Sequence, residues 1–130
     1  MAKLTETVQS GDWKAEKHVP VIHIDKKDDG FKVCAIVGEE IEHPNTFEHH
    51  IAWIKVFFQP EGEKFPVEVA SYQAAAHGEG EVFTKPHAHA YVKSTKPGKV
   101  FALSYCNIHG LWESAEAVSY THLTLPTILL

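Results

Sequence analysis

The chain has 130 residues, 44% of them apolar and 22% charged, with a formal net charge of −5. That length holds one domain with a real core and not two comfortable ones. A negative balance without a long basic run argues against nucleic-acid binding, and two cysteines are too few for a disulfide framework.

The opening stretch, MAKLTETVQSGDW, lacks the apolar core of a signal peptide. No apolar run is long enough to span a bilayer, so a cytoplasmic protein is expected. From there period-two alternation recurs and helical periodicity does not. VPVIHI (19–24) and FKVCAIV (31–37) read as strands joined by a turn at DDG (28–30). A long polar connection, VGEEIEHPNTFEHH (37–50), leads into IAWIKVFF (51–58); connections of that length inside compact domains are often functional. PEGEKFP (60–66) turns into VEVASYQAA (67–75), and HGEGE (77–81) precedes AHAYVKS (88–94). KPG (96–98) introduces KVFALSY (99–105), and LWESAEAVSY (111–120) is the least regular of the set. These segments are rich in Val, Ile, Phe, Tyr and Trp, which suit a half-buried pleated surface. About seven short strands with frequent turns predict an all-β fold, an immunoglobulin-like antiparallel β-sandwich. Cys34, inside a strand, is assigned to the core, and His77, His87, His89 and His122 to the surface. Residues 1–118 form the expected domain. Residues 119–130, ending in the apolar THLTLPTILL, form a separate tail, left out of the functional reading.

Ten histidines are many for this length, and only their spacing can give them meaning. EKHVP offers Glu16, Lys17 and His18 just before a strand. The long connection offers His43 and His49. CNIH offers Cys106 and His109 three positions apart. Neighbouring side chains on a strand face opposite ways, so His49 and His50 cannot both point at one site. Four imidazoles and one thiolate remain, from loops that a sandwich can gather at one end. Structural zinc is nearly always four-coordinate, whereas five such donors leave an open sixth position, which suits redox chemistry at iron. Taken singly, Cys106 fits a small buried apolar residue and Glu16–Lys17 a solvated pair; the combination carries the meaning. Trp13 and Trp112 are assigned to core packing.

In their order along the chain, SGDWKAEKHVPVI (10–22), GEEIEHPNTFEHHIAWIKVFFQPEG (38–62), AHGE (76–79) and ALSYCNIHGLWE (102–113) resemble the one-iron superoxide reductases, the neelaredoxin and desulfoferrodoxin family. The resemblance implies one mononuclear iron per chain, cycling between Fe(II) and Fe(III). It implies His18, His43, His49 and His109 as equatorial ligands and Cys106 as the axial one. Glu16 would close the sixth position of the ferric ion, and Lys17 would stand beside the open site. The implied reaction is one-electron reduction of superoxide to hydrogen peroxide without oxygen release. A rubredoxin-like electron donor and a homodimeric or homotetrameric assembly are implied as well. Two alternatives stand beside it: dismutation of superoxide at the same centre, and a non-catalytic metal-binding module. The chain departs from the family's usual pattern at Phe47, in a shorter segment over 78–93, and in the unmatched tail.

Overall fold

The computed structural model describes residues 3–119. Eight strands follow in chain order: β1 (Pro20–Lys27), β2 (Gly30–Val37), β3 (Ile51–Pro60), β4 (Val67–Gln73), β5 (His87–Lys93), β6 (Gly98–Cys106), β7 (Gly110–Glu113) and β8 (Ala117–Ser119). They form the antiparallel sandwich expected from the sequence. One sheet runs β1-β2-β5; the other runs β4-β3-β6-β7, with β8 also pairing β6.

Each expected strand is present, and the last divides in two. The break falls at Ser114, which is buried and takes over part of the ladder. Its N–H donates to the Ala102 carbonyl at 3.0 Å, while its Oγ accepts from the Ala102 N–H at 2.9 Å. Buried backbone groups must be paired, and this side chain pairs them where regular strand geometry stops. The tail residues 121–130 and His122 lie outside the described residues.

Alternation decides what is inside. Phe31, Val33, Ala35 and Val37 of β2 face Ile54, Val56 and Phe58 of β3 and Val100 and Ala102 of β6 across the core. Phe31 meets Phe58 edge to face, with ring centroids 5.0 Å apart, a favoured arrangement for aromatic pairs. The same parity on β6 continues inward through Ser104 to Cys106, both 0% exposed. The core row of β6 therefore ends in a sulfur.

Cys34 has the other parity. It is half-buried on the outer face of β2, so the core placement expected from its sequence context is corrected: the period-two pattern of Val33 and Ala35 turns it away from the interior.

At the Cys106 end, β3 carries an irregularity. Ile51 pairs with Cys106 and Trp53 with Tyr105, so Ala52 is an extra residue on the β3 side. Such a bulge re-aims the chain; here it lets both Ile51 and Ile54 face inward and brings residues 49 and 50 over the sheet end. The long connection is folded back on itself by Gly38, whose φ is +84°. A Cβ at this position would lie 2.7 Å from the His43 backbone nitrogen, so both the conformation and the close approach require glycine. Among the described residues no helix is long and apolar enough to cross a membrane.

Candidate metal centre

Three separate pieces of chain converge where β6 ends. The first is the turn ahead of β1. Ala15 and Glu16 donate backbone N–H bonds to the Asp12 carbonyl, both at 2.9 Å. Ser104 Oγ then donates to the His18 carbonyl at 3.3 Å, fixing that turn to the core face of β6. The second piece is the 38–50 connection. The third is the turn between β6 and β7, which carries Cys106 and His109 and closes at Gly110, φ +83°. Asn107 ties the last two together. Its N–H donates to the His50 carbonyl at 3.2 Å, its Oδ1 accepts from the His50 N–H at 2.9 Å, and its Nδ2 donates to the Glu48 carbonyl at 3.0 Å.

The result is a closed ring of four imidazoles. His18–His43, His43–His49, His49–His109 and His109–His18 have centroid separations of 4.7, 4.7, 5.0 and 4.8 Å. Neighbouring planes are inclined by 62–75°, whereas the diagonal pair His18 and His49 is 6.3 Å apart and inclined by 34°. Four rings at the corners of a square, turned like blades, aim one nitrogen each toward the middle. Cys106 Sγ lies 3.7 Å from both His43 Nε2 and His109 Nδ1. Donor atoms of His18, His49, Cys106 and His109 all fall within 4.8 Å of one another.

Hydrogen bonds on the far side of the rings select which nitrogen faces in. His18 Nδ1 lies 2.6 Å from Glu16 Oε1, and His43 Nδ1 lies 2.7 Å from the Pro44 carbonyl. With the proton on Nδ1 in each case, Nε2 keeps a free lone pair toward the centre. His18 Nε2 and His109 Nδ1 then stand 3.1 Å apart, so two lone pairs meet there unless a cation, or a proton on His109, lies between them. His49 Nε2 is buried with no partner among the described residues, and a buried polar atom without a partner costs free energy. A metal ion answers both problems, and this donor set fits one.

Charge follows the same logic. Burial pushes the His43 imidazolium down to about 4, with His18, His49 and Lys17 adding to the shift. Burial also lowers His18 and His49, so these rings are neutral near pH 7, the form that ligates. Burial pushes the Glu16 carboxyl up, but its bonds from His18 outweigh this and hold it below the usual range. Lys17 acts electrostatically on His18, His43 and His49 and so stands beside the cluster. The His109 N–H donates to Cys106 Sγ at 3.4 Å, which stabilises negative charge on the sulfur.

Every candidate from the sequence is thus at this end of the sandwich. Glu16 stands behind His18, on Nδ1, and not on the side where the five donors meet. Trp112 exceeds its expected role as core filler: it is 8% exposed, stacks on His18 at 4.7 Å and 14°, and donates from Nε1 to the His109 carbonyl at 3.1 Å. It therefore braces two of the four rings. His77 is likewise no lone surface residue. It stacks on His50 at 3.8 Å and bonds to Asn45 Oδ1 at 2.8 Å, while Asn45 Nδ2 reaches the Thr84 carbonyl. Gln9 adds a brace, with Nε2 donating to the His109 carbonyl at 2.9 Å. Trp112, His77, Asn45 and Asn107 lie inside the motifs that carry the resemblance, though their supporting contacts are not readable there; Gln9 has no signal in the sequence.

The desulfoferrodoxin family model matches residues 10–115. The superoxide reductase of Pyrococcus horikoshii is 54% identical over 111 residues, covering 85% of this chain and 95% of that protein. The neelaredoxin of Megalodesulfovibrio gigas is 47% identical over 127 residues, covering 90% and 98%. Among solved structures, the superoxide reductase (neelaredoxin) of Archaeoglobus fulgidus in the reduced form aligns with a TM-score of 0.83 at 49% identity. That alignment covers 88% of this chain and 98% of that one.

Proposed function

The chain belongs to the desulfoferrodoxin family, and on that premise we propose that it is a superoxide reductase. Superoxide, one electron and two protons give hydrogen peroxide, with no oxygen released, at one mononuclear iron held by His18, His43, His49, His109 and Cys106. The observation that carries this is the convergence of five donor residues, one of them His49 with its buried, partnerless Nε2. Iron bound there supplies the electron, alternating between Fe(II) and Fe(III).

Everything else falls to the chain. Imidazoles ligate a metal unprotonated and bring no charge of their own. With Cys106 as thiolate they leave a divalent ion at net +1. Lys17 adds a second positive charge, so an anion meets a local attraction although the protein as a whole carries −5; at short range such a field outweighs distant charge. The Lys17 ammonium, or water it holds, delivers protons to the departing oxygen. Cys106, as one of the residues that would hold the iron, would donate electron density to it as thiolate, and the His109 N–H would limit that donation by holding a sulfur lone pair. Glu16 keeps His18 oriented. To take up a second post at the open position, as the resemblance implies, its carboxylate has to leave His18 Nδ1.

Phe47 and Ile108 are 76% and 55% exposed and flank the loop ligands. They offer an apolar landing place for a one-electron donor of the rubredoxin kind. We place this reaction in the cytoplasm and in a homo-oligomer. The test is stoichiometry. The iron-loaded, reduced protein given a pulse of superoxide should form one peroxide per superoxide and evolve no oxygen. Oxygen evolution with no net oxidation of the protein or its donor would make it a dismutase.

A further inference from the structure

A second group of soft donors lies on the outer face of the three-stranded sheet. Strand register puts them in a row: His23 of β1 pairs with Cys34 of β2, and Cys34 pairs with His89 of β5. His87 lies two residues along β5 from His89, on the same face, with ring centroids 6.0 Å apart. Paired residues on adjacent strands have Cβ atoms about 4.5–5.5 Å apart, and same-face neighbours along a strand are about 7 Å apart. A thiol flanked by imidazoles at these backbone spacings can share one ion with them once the side chains turn toward it; in the structure their donor atoms are not drawn together as those of His18, His49, Cys106 and His109 are. Two histidines at i and i+2 on one strand, with a third donor on its neighbour, form a pattern suited to tetrahedral metal.

Glu39, just beyond β2, caps the row. Its Oε1 lies 2.6 Å from His23 Nε2, which leaves Nδ1 of that ring for a ligand. Burial raises the Cys34 pKa and the carboxylate adds to that rise; burial lowers the His87 pKa and the carboxylate works against that fall. Glu39 therefore stands near three of the four donors. A carboxylate gripping the far nitrogen of a histidine is the usual support of a metal-bound imidazole. Beside His87 and Glu39 opens a cleft of about 460 Å³, with Glu40 and Glu42 on its wall. Of the four donors only His87 lines it, so it serves as an approach with a favourable field for a cation and not as the site itself. His43 lines the same cleft from the other end, but Cys34, His23 and His89 are no part of the five-donor cluster.

We propose that His23, Cys34, His87 and His89, with Glu39 holding His23, form a second metal site that takes a borderline-soft divalent cation of the zinc class. Softness decides the class. A thiolate with three imidazoles discriminates against magnesium and calcium and favours zinc or copper over iron in the divalent series. The ion would clip β1, β2 and β5 together across the face opposite the core. The inference does not depend on the superoxide chemistry, because its donors and the iron ligands are different residues.

The test uses iron-loaded protein and Co(II) as a spectroscopic stand-in for zinc. One Co(II) should bind per chain with the iron retained, giving a thiolate charge-transfer band in the near ultraviolet and the visible bands of tetrahedral cobalt. Cys34→Ser should remove the near-ultraviolet band, and His89→Ala should weaken Co(II) binding at least tenfold. Both variants should keep their iron, which shows that they are folded. His89→Gln serves as a milder variant and should weaken binding in the same direction. Three results would each overturn the site: no uptake below millimolar Co(II), uptake unaltered in both variants, or uptake matched by release of an equal amount of iron.

Discussion

Glu16→Ala isolates what the carboxylate behind His18 contributes. In the structure its Oε1 accepts from His18 Nδ1 at 2.6 Å and from the His18 N–H at 3.1 Å. The alanine variant loses both bonds, and His18, 5% exposed, keeps an Nδ1–H with no acceptor. The ring then gains by shifting its proton to Nε2, the atom that must stay bare to ligate. Loss of such an outer partner typically weakens metal binding ten- to a hundredfold, or about 1.4–2.7 kcal/mol. Two features argue for the lower half of that range. The Glu16 side chain is 35% exposed, so water can enter and accept the proton, and Trp112 still stacks on the ring. The expected loss is therefore roughly ten- to thirtyfold, read by competing a calibrated chelator against the reduced protein for Fe(II). Glu16→Gln keeps an oxygen that accepts from Nδ1–H and should recover most of the affinity. The reasoning is refuted if Glu16→Ala holds iron within twofold of the parent, or if glutamine does no better than alanine.

Lys17→Ala should slow the capture of superoxide and flatten its dependence on ionic strength, while iron content stays the same; stopped-flow mixing across a salt series reads both. Gly38→Ala puts a Cβ 2.7 Å from the His43 nitrogen at a φ of +84°, so it should lower stability by about 2 kcal/mol or more. It should also displace His43 enough to lower iron retention, as denaturant curves and metal analysis would report. The metal-free protein should weaken as acidity increases. His43 titrates near 4 when folded and near 6.5 when unfolded, so between these values the unfolded chain binds the additional proton. Stability is complete above pH 6.5 and falls as pH drops toward 4, by up to about 3 kcal/mol from this group. Lowered values at His18 and His49 act in the same direction. Urea unfolding of the metal-free protein at pH 7.5 and pH 4.5 measures the difference; equal midpoints would contradict the burial of His43.

The strands were legible because burial on one face of a sheet imposes strict alternation, as in VCAIV and KVFALSY. The limit appears at LWESAEAVSY, where Ser114 interrupts β7–β8 by substituting its own hydroxyl for a strand partner, a tertiary hydrogen bond that no local pattern announces. Cys34 was misplaced for a related reason. Alternation gives two faces but does not label the inner one, and Cys counts as apolar on either. The ligand candidates were legible through motif order, yet the contacts their supports make were not. His77 meets His50 across 27 positions of chain, and Gln9 meets His109 across 100. Contacts at such separations depend on how the sheets pack, which spacing along the sequence does not encode. Glu16 could be read as belonging to the centre, but only the coordinates put it behind His18.

The account rests on five side chains from three loops closing on one iron. X-ray absorption at the iron edge of the reduced protein tests this most directly. The expected result is one sulfur scatterer with four imidazole nitrogens, the sulfur vanishing in Cys106→Ser while the imidazole scattering persists. A sulfur-free shell in the parent protein, or a sulfur that survives Cys106→Ser, would contradict it.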